Sequence, residues 1–284
     1  MTKKQNKTKQ NKTKFNKNKT NKTKQTMSGE GLDDETLNKF LFHVRNSYGM
    51  SSSIPFEKHI AVNEGITLVC HYLKCKEAPS EYLIVHFHGN GELTEDYLDD
   101  PLVEFLTEKL AVNVLLFEYR QYGKSNGKAL MGSMLQDMIP LEKYIIEQLN
   151  FKPDKVILFG RSMGSQFALH YTFVAKEYAA LILDCPIASL KTFAPFAKPK
   201  AKEEMDAKMD NLKKIAKVSK PLLLLHAIQD DIVPLNNSIK LYDASSSPHK
   251  KLAKFPGGHN DFFPLNENKY LEELEQFILA VKSQ

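Results

Sequence analysis

The sequence predicts an α/β fold, in which a mostly parallel β-sheet is flanked by helices. Two observations lead to this class. Short runs rich in Val, Ile, Leu and Phe alternate with amphipathic segments of helical period along residues 55–284. Within residues 155–165, one such run stops at a glycine, presents a single serine and restarts as a helix. At 284 residues, the chain is long enough for one large domain with a substantial core.

Residues 1–26 differ from the rest of the chain. They consist almost entirely of Lys, Asn, Thr and Gln, with ten lysines and no acidic residue, and this composition predicts a disordered tail. Without those ten lysines the formal net charge of +5 becomes −5, so residues 27–284 are mildly acidic. The tail has no arginine and one aromatic residue, Phe15. We therefore interpret it as a dispensable leader before Met27 and expect no nucleic-acid partner.

Cysteine usage and hydropathy indicate the compartment. Cys70, Cys75 and Cys185 are an odd number without metal-ligand spacing, which suggests neither a disulfide framework nor a zinc site. No apolar run reaches the length of about 18 residues that a membrane span needs, and no signal-peptide core follows Met1. We expect a cytoplasmic protein with at most peripheral membrane contact.

The elements follow from periodicity. Residues 27–54 form an N-terminal helix and linker, in which Leu37, Phe40, Leu41 and Val44 mark one face of a helix over residues 34–48. The predicted strands cover residues 57–62, 67–73, 82–87, 113–119, 155–159, 180–184, 222–226 and 251–255. The predicted helices include residues 94–110, a helix ending near residue 149 that Pro140 bends, residues 163–176 and a C-terminal helix.

The stretch Gly-Arg-Ser-Met-Gly at residues 160–164 lies between a predicted buried strand and a helix. A serine on such a tight turn is presented to substrate, and a side chain at either glycine would collide with neighbouring backbone. We interpret the stretch as a nucleophile elbow around Ser162. The weaker alternative is an ordinary strand-to-helix turn.

The predicted strand 82–87 runs into the sequence His-Gly-Asn-Gly at residues 88–91. Its glycines let backbone N–H groups approach a ligand closely, as one half of an oxyanion hole requires. His86 and His88 are candidate catalytic bases. A histidine at a strand end is more often a hydrogen-bonded structural residue, and we favour that interpretation for both.

An acid and a histidine also follow predicted strands. Asp230 and Asp231 come after the strand 222–226, and His259 follows two glycines after the last strand. Serine is a poor nucleophile at neutral pH unless an imidazole takes its proton and a carboxylate orients the ring. The chain order of serine, acid and histidine therefore indicates a catalytic triad, with Asp184 as a further candidate acid.

Residues 189–220 lie between two predicted strands and contain no strand-like run. Phe193 and Phe196 precede a lysine-rich helix that carries Met205 and Met209. We predict a small lid in which Phe193 and Phe196 bind an apolar acyl chain. The alternative, a connecting helix whose methionines fill the core, stays open.

Together these motifs resemble the α/β-hydrolase superfamily. They are residues 160–164, the His-Gly-Asn loop at 88–90, Tyr-Gly-Lys-Ser-Asn-Gly at 122–127 and Gly-His-Asn-Asp at 258–261. More narrowly they are similar to the α/β-hydrolase domain-containing protein 17 type of depalmitoylating thioesterases and their lidless relatives, over about residues 55–282. The resemblance implies an eight-stranded, mostly parallel sheet, a small or absent lid, and a serine-hydrolase mechanism without metal or cofactor.

Carried onto this chain, the resemblance implies site residues and a reaction. Ser162 is the nucleophile, His259 the general base and acid, and Asp230, which precedes Pro234 by four residues, the orienting acid. The N–H groups of Asn90 and Met163 form the oxyanion hole. The implied activity is cleavage of an ester or thioester of an apolar acyl group in a small molecule or an acylated protein. An aminopeptidase-like hydrolase and a catalytically silent binding protein on the same scaffold are the alternatives.

Overall fold

The computed structural model describes residues 31–48, 56–76, 79–175 and 177–284, so the predicted tail at 1–26 lies outside it. Its eight strands are β1 (Glu57–Asn63), β2 (Ile66–Leu73), β3 (Leu83–Phe87), β4 (Asn113–Phe117), β5 (Val156–Arg161), β6 (Ala180–Asp184), β7 (Leu222–Ala227) and β8 (Lys250–Phe255). They form one sheet in the order β1-β2-β4-β3-β5-β6-β7-β8. The contacts β1–β2 and β2–β4 are antiparallel and the others are parallel, which confirms the predicted eight-stranded, mostly parallel sheet.

Helices cover both faces of the sheet, as the apolar sequences of its central strands require. They are α1 (Glu35–Leu41), α2 (Pro101–Glu104), α3 (Met131–Gln136), α4 (Met138–Glu147), α5 (Gly164–Val174), α6 (Pro199–Lys208), α7 (Asn211–Ile215), α8 (Asn236–Ala244), α9 (Phe262–Leu265) and α10 (Glu267–Lys282). One core cluster joins the sheet to α1, α3, α4, α5 and α6. A second cluster, on the other face, joins it to α2 and α10. Over the described residues no helix combines the length and the apolarity that a bilayer span needs.

Helix α1 is shorter than predicted. It ends at Leu41 rather than near residue 48, and Phe40, predicted on its buried face, is 55% exposed. The Asn90 side chain donates to the carbonyl of Leu41 and accepts from the N–H of His43. These tertiary hydrogen bonds take backbone groups that a longer helix would have paired internally, so the helix stops.

Two other predicted helices are broken. Residues 94–110 form a 3-10 turn (Thr94–Tyr97), α2 and a π-type turn (Phe105–Lys109), because Asp100 caps a new helix that begins at Pro101. Residues 131–147 divide at Asp137, whose carboxylate accepts two hydrogen bonds from Arg120, into α3 and α4. The interruption lies within one turn before Pro140, which lacks the N–H that a continuous helix would donate to the carbonyl of Gln136, so it agrees with the bend predicted at this proline.

Residues 189–220 form a 3-10 turn (Leu190–Phe193) followed by α6 and α7. Met205 and Met209 are each 1% exposed and belong to the larger core cluster. Burial of both thioethers supports the alternative in which the methionines fill the core, and a lid over residues 189–220 remains a prediction.

Candidate active site

The elbow forms where β5 ends and α5 begins. Ser162 has φ of 51°, in the left-handed region, and its N–H donates to the carbonyl of Asp184 at 2.7 Å. A Cβ at Gly160 would lie 2.7 Å from the carbonyl oxygen of Gly164, and a Cβ at Gly164 would lie 1.9 Å from that of Phe87. Any side chain at either position would collide with backbone, as predicted from the Gly-x-Ser-x-Gly pattern.

The three residues predicted as a triad lie together above the ends of β5, β7 and β8. Ser162 Oγ is 3.0 Å from His259 Nε2, and His259 Nδ1 is 2.6 Å from Asp230 Oδ2. All three residues are buried, with 6% to 8% of their surface exposed. A hydroxyl, an imidazole and a carboxylate joined in this order form a path along which the hydroxyl proton can pass to the imidazole.

Asp230 is held by backbone as well as by His259. Its Oδ1 accepts from the N–H groups of Ile232 and Val233, at 3.0 and 2.7 Å. Burial alone raises the pKa of Asp230, but the hydrogen bonds from His259 and Val233 outweigh burial and lower that pKa below its usual value. Asp231 is exposed. The geometry thus separates the two adjacent aspartates as the sequence analysis did.

Asp184, the further candidate acid, has other partners. Its Oδ2 accepts from the hydroxyl of Tyr270 at 2.9 Å and lies 3.6 Å from an Arg161 nitrogen. Its main-chain carbonyl receives the N–H of Ser162. Asp184 therefore supports the elbow, and its carboxylate does not contact His259.

The two predicted oxyanion-hole donors follow the elbow and β3. In the described part of the chain, neither the N–H of Met163 nor that of Asn90 donates a hydrogen bond, so both stay available to a ligand. The Asn90 side chain accepts from the Tyr122 hydroxyl at 3.0 Å and holds the end of α1, which fixes its loop. Their part in an oxyanion hole remains a prediction.

The histidines before this loop have different environments. His88 Nε2 lies 2.7 Å from a Glu118 oxygen and Nδ1 lies 2.8 Å from the Gly89 carbonyl, so both nitrogens face acceptors. Burial by itself lowers the pKa of His88, but the Glu118 carboxylate raises it overall. The interpretation of His88 as a structural residue is confirmed. His86 is buried, and neither ring nitrogen has a hydrogen-bond partner among the described residues.

Arg161, which the sequence analysis did not single out, ties the site together. Its guanidinium contacts Glu92 at 2.9 Å, after β3, and the carbonyl of His259 at 3.3 Å, after β8. It also donates to Asn260 Oδ1 at 3.2 Å. An arginine at the end of a buried strand needs acidic partners, and Glu92 and Asp184 follow the two strands beside β5. That combination was the sequence signal for this network.

The side chains at the triad are poorly suited to binding a metal ion. Sγ of Cys185, a carboxylate oxygen of Asp230 and a ring nitrogen of His259 lie within 4.8 Å of one another. The Asp230 oxygen and His259 nitrogen already bond to each other, and burial raises the pKa of the Cys185 thiol, which disfavours the thiolate that binds metals. The donor set therefore suits the hydrogen-bonded triad better than a metal.

The two phenylalanines that were predicted to bind substrate differ in their solvent exposure. Phe193 is partly buried, whereas Phe196 is 51% exposed and packs its ring edge on Phe40 of α1, with centroids 4.5 Å apart. The structure thus places one ring of an exposed aromatic pair, Phe196, on the segment predicted as a lid and the other, Phe40, on α1. A role for Phe193 and Phe196 in substrate binding remains a prediction.

Comparison with known proteins identifies relatives of this chain. The chain is 29% identical to the Escherichia coli protein YfhR over 253 residues, which cover 86% of this chain and 87% of YfhR. It is 26% identical to human α/β-hydrolase domain-containing protein 17B over 220 residues, which cover 76% of this chain and 72% of that protein. The structure of the Pyrococcus furiosus esterase Pf2001 superposes with a TM-score of 0.66 at 21% identity, covering 79% of this chain and 91% of the esterase.

A family model covers the part of the chain that carries the site. The model of the prolyl oligopeptidase family matches residues 120–279, more than half of the chain. This range contains the elbow, Asp230 and His259. The fold, the matched range and the relatives agree, and the chain belongs to the prolyl oligopeptidase family of α/β-hydrolases.

Proposed function

We propose that this protein is a serine hydrolase that cleaves an ester or thioester of an apolar acyl group through an acyl-enzyme. The observation that carries the proposal is the continuous path from Ser162 Oγ to His259 and Asp230, with distances of 3.0 and 2.6 Å. Its substrates are proposed to be small molecules or acylated proteins of the cytoplasm.

The chemistry follows from the geometry. His259 Nε2 takes the proton of Ser162 as Oγ attacks the acyl carbon, and the carbonyl oxygen becomes an oxyanion near the N–H groups of Met163 and Asn90. The tetrahedral intermediate collapses, and the leaving oxygen or sulfur takes the proton from His259. Water then attacks the acyl-enzyme, gives a proton to His259, and releases the acid while Ser162 regains its own proton.

The comparisons support hydrolysis and agree with cleavage of either an ester or an amide bond. The P. furiosus neighbour is an esterase, which favours an acyl ester as the substrate of this protein. The name of the prolyl oligopeptidase family favours a second candidate, cleavage of an aminoacyl or peptide amide. Both candidates use the same nucleophile, so they differ in substrate and not in the assignment of Ser162.

Covalent labelling by a fluorophosphonate probe tests the proposed chemistry. We expect the wild-type protein to be labelled at Ser162 and the Ser162→Ala variant to remain unlabelled. Ser219→Ala is the control, because this serine is exposed and lies outside the elbow, so its hydroxyl should not be needed for labelling. Folded wild-type protein that is not labelled would support the silent binding protein instead.

A series of acyl esters and thioesters, with aminoacyl amides in parallel, tests the substrate class. Each methylene that enters an apolar pocket contributes about 0.8 kcal/mol, roughly fourfold in kcat/KM if the gain is expressed in the transition state. We expect kcat/KM to climb from acetyl toward octanoyl and Phe196→Ala to flatten the slope. A flat wild-type profile would favour a small polar ester or an aminoacyl substrate.

Phe40→Ala is the control for that variant. Phe40 forms the other half of the ring pair but belongs to α1, so its loss removes the same ring contact. If Phe40→Ala flattens the slope as much as Phe196→Ala, the effect comes from the ring contact, and direct acyl binding by Phe196 is contradicted.

A further inference from the structure

The side chain of Asn90, in the loop after β3, is held at all four of its hydrogen-bonding positions. Its Nδ2 donates to the carbonyl of Leu41 and to Nδ1 of His43, at 2.8 and 2.9 Å. Its Oδ1 accepts from the N–H of His43 at 2.8 Å and from the hydroxyl of Tyr122 at 3.0 Å. A side-chain amide has two donor and two acceptor positions, so this one is fully used. Asn90 therefore links three segments of the chain.

The main chain beside Asn90 is held separately. His88 Nδ1 donates to the carbonyl of Gly89 at 2.8 Å. That carbonyl and the N–H of Asn90 belong to one planar peptide unit, so a bond that fixes the carbonyl also fixes the plane of the N–H. The direction of the Asn90 N–H is thus set at two points, by His88 through the peptide plane and by the Asn90 side chain through its Cα.

Tyr122 is a rigid support for the Asn90 side chain. It is fully buried, and its ring packs on the rings of His88 and Tyr119, both at centroid distances of 5.7 Å. A tyrosine has only two side-chain torsions, so packing of the ring also fixes the position of the hydroxyl. Burial raises the pKa of the Tyr122 hydroxyl, which therefore keeps its proton and remains a donor.

We propose that Tyr122 is a positioning residue of the oxyanion hole and acts through the side chain of Asn90. The inference rests on the proposed hydrolysis, in which the N–H of Asn90 stabilises the oxyanion. Such a donor lowers the barrier most when it already points at the site of the developing charge, because no reorganisation is then needed during the reaction. His43, which is exposed and contacts the same amide, has the same role from the solvent side.

Tyr122→Phe tests the proposal, because phenylalanine keeps the ring packing and removes only the hydroxyl. Loss of an oxyanion-hole donor lowers kcat by about a hundredfold or more, and a misplaced donor should cost less, about tenfold in kcat with KM unchanged. His43→Ala removes one acceptor at an exposed position and should lower kcat about threefold. Fluorophosphonate labelling of Ser162 counts the active sites, so that a smaller folded fraction is not mistaken for a lower rate.

An alkyl trifluoromethyl ketone provides a second measurement, which a merely structural role of Tyr122 would not change. Ser162 Oγ adds to the ketone carbon, the serine proton passes to His259, and the carbonyl oxygen becomes an oxyanion with no leaving group to expel. The adduct therefore resembles the transition state. Its inhibition constant should rise in Tyr122→Phe by the same factor as kcat falls, about tenfold.

Tyr119→Phe is the matched control. Tyr119 is also buried, and its hydroxyl donates to the carbonyl of His88 at 2.8 Å, one peptide unit before the unit that carries the Asn90 N–H. The N–H of that earlier unit, from Gly89, donates to Glu92 at 2.6 Å and still holds it in the variant. We expect kcat and the inhibition constant of Tyr119→Phe to stay within about twofold of wild type.

The outcomes separate this inference from the proposed function. Equal losses of kcat in Tyr119→Phe and Tyr122→Phe, or an unchanged inhibition constant in Tyr122→Phe, would contradict the positioning role and leave the assignment of Ser162 intact. Folded wild-type protein that is neither labelled by the fluorophosphonate nor inhibited by the ketone would contradict the proposed hydrolysis, and this inference with it.

Discussion

Asp184 is the last residue of β6 and Asp230 follows the neighbouring parallel strand β7, at the same edge of the sheet, and both are buried. Their partners differ. Asp230 holds an imidazole and two backbone N–H groups, whereas Asp184 holds the Tyr270 hydroxyl and lies beside the Arg161 guanidinium. Position in the fold therefore does not decide what a carboxylate at this edge does.

The two carboxylates differ in whether the partner side chain can exchange a proton. An imidazole takes and returns a proton near neutral pH, while a guanidinium stays charged under all physiological conditions. The Asp230 pair is thus suited to move a proton, and the Asp184 pair is suited to hold structure.

The largest expected effect is on turnover in Asp230→Asn. The amide keeps the shape of the carboxylate but favours the wrong tautomer of His259, and in a serine-protease triad such a change lowers kcat by about ten-thousandfold. Asp231→Asn, one residue along in an exposed position, should stay within about twofold of wild type. The measurement is kcat on whichever acyl ester is cleaved fastest. Small and equal losses in both variants would contradict the assignment of Asp230.

The second-largest expected effect is on stability at acidic pH. It comes from Glu92, the other carboxylate partner of Arg161. Burial alone raises the pKa of Glu92, but Arg161, Tyr97 and the Gly89 N–H lower it from 4.5 to about 2. Because the folded pKa lies below the unfolded one, this contribution is present above about pH 4.5 and is lost as pH falls toward 2. It amounts to about 3 kcal/mol of unfolding free energy.

Urea unfolding of Glu92→Gln between pH 5 and pH 3 measures that contribution. The variant should be less stable than wild type at pH 5, and the gap should narrow as pH falls. Glu64→Gln, at an exposed position in the β1–β2 turn, should follow the wild-type curve. A gap that is independent of pH would mean that Glu92 contributes by packing and not by its charge.

Asp184→Asn should have the smallest effect of the three variants, and that effect should be mainly on stability. Arg161 keeps Glu92 as a partner, so we expect a loss of about 2 kcal/mol in unfolding free energy, below the roughly 3 to 5 kcal/mol of a buried pair that is broken completely. Turnover should fall by about tenfold or less, because the main-chain carbonyl that receives the Ser162 N–H is unchanged. A loss of turnover as large as that in Asp230→Asn would reverse the roles of the two acids.

Local patterns in the sequence predicted much of this site. A buried strand followed by glycine, serine and glycine requires the sharp turn at Ser162, and the strand-end positions of Asp230 and His259 bring them to the same edge. These features depend on residues close in sequence and on the topology of a parallel sheet. The eight strands were predicted for the same reason, with bounds that differ by a few residues at most.

What the sequence did not predict depends on distant partners. Helix α1 stops because Asn90, almost fifty residues later, takes its backbone groups, and Phe40 is exposed as a result. The links from Arg161 to Glu92 and His259 join three separate loops. The periodicity of apolar residues does not predict such hydrogen bonds, because they depend on which loops become neighbours after folding.

The left-handed backbone at the elbow has a consequence for the evolution of this protein. Ser162 has φ of 51° and Cys185, after the adjacent strand, has φ of 43°, and a side chain in this region costs roughly 1 to 2 kcal/mol that glycine avoids. Glycine at position 162 would relieve part of this cost and remove the nucleophile at once. Selection for thermal tolerance alone would thus favour loss of the serine, so its persistence in a lineage would itself record selection for chemistry.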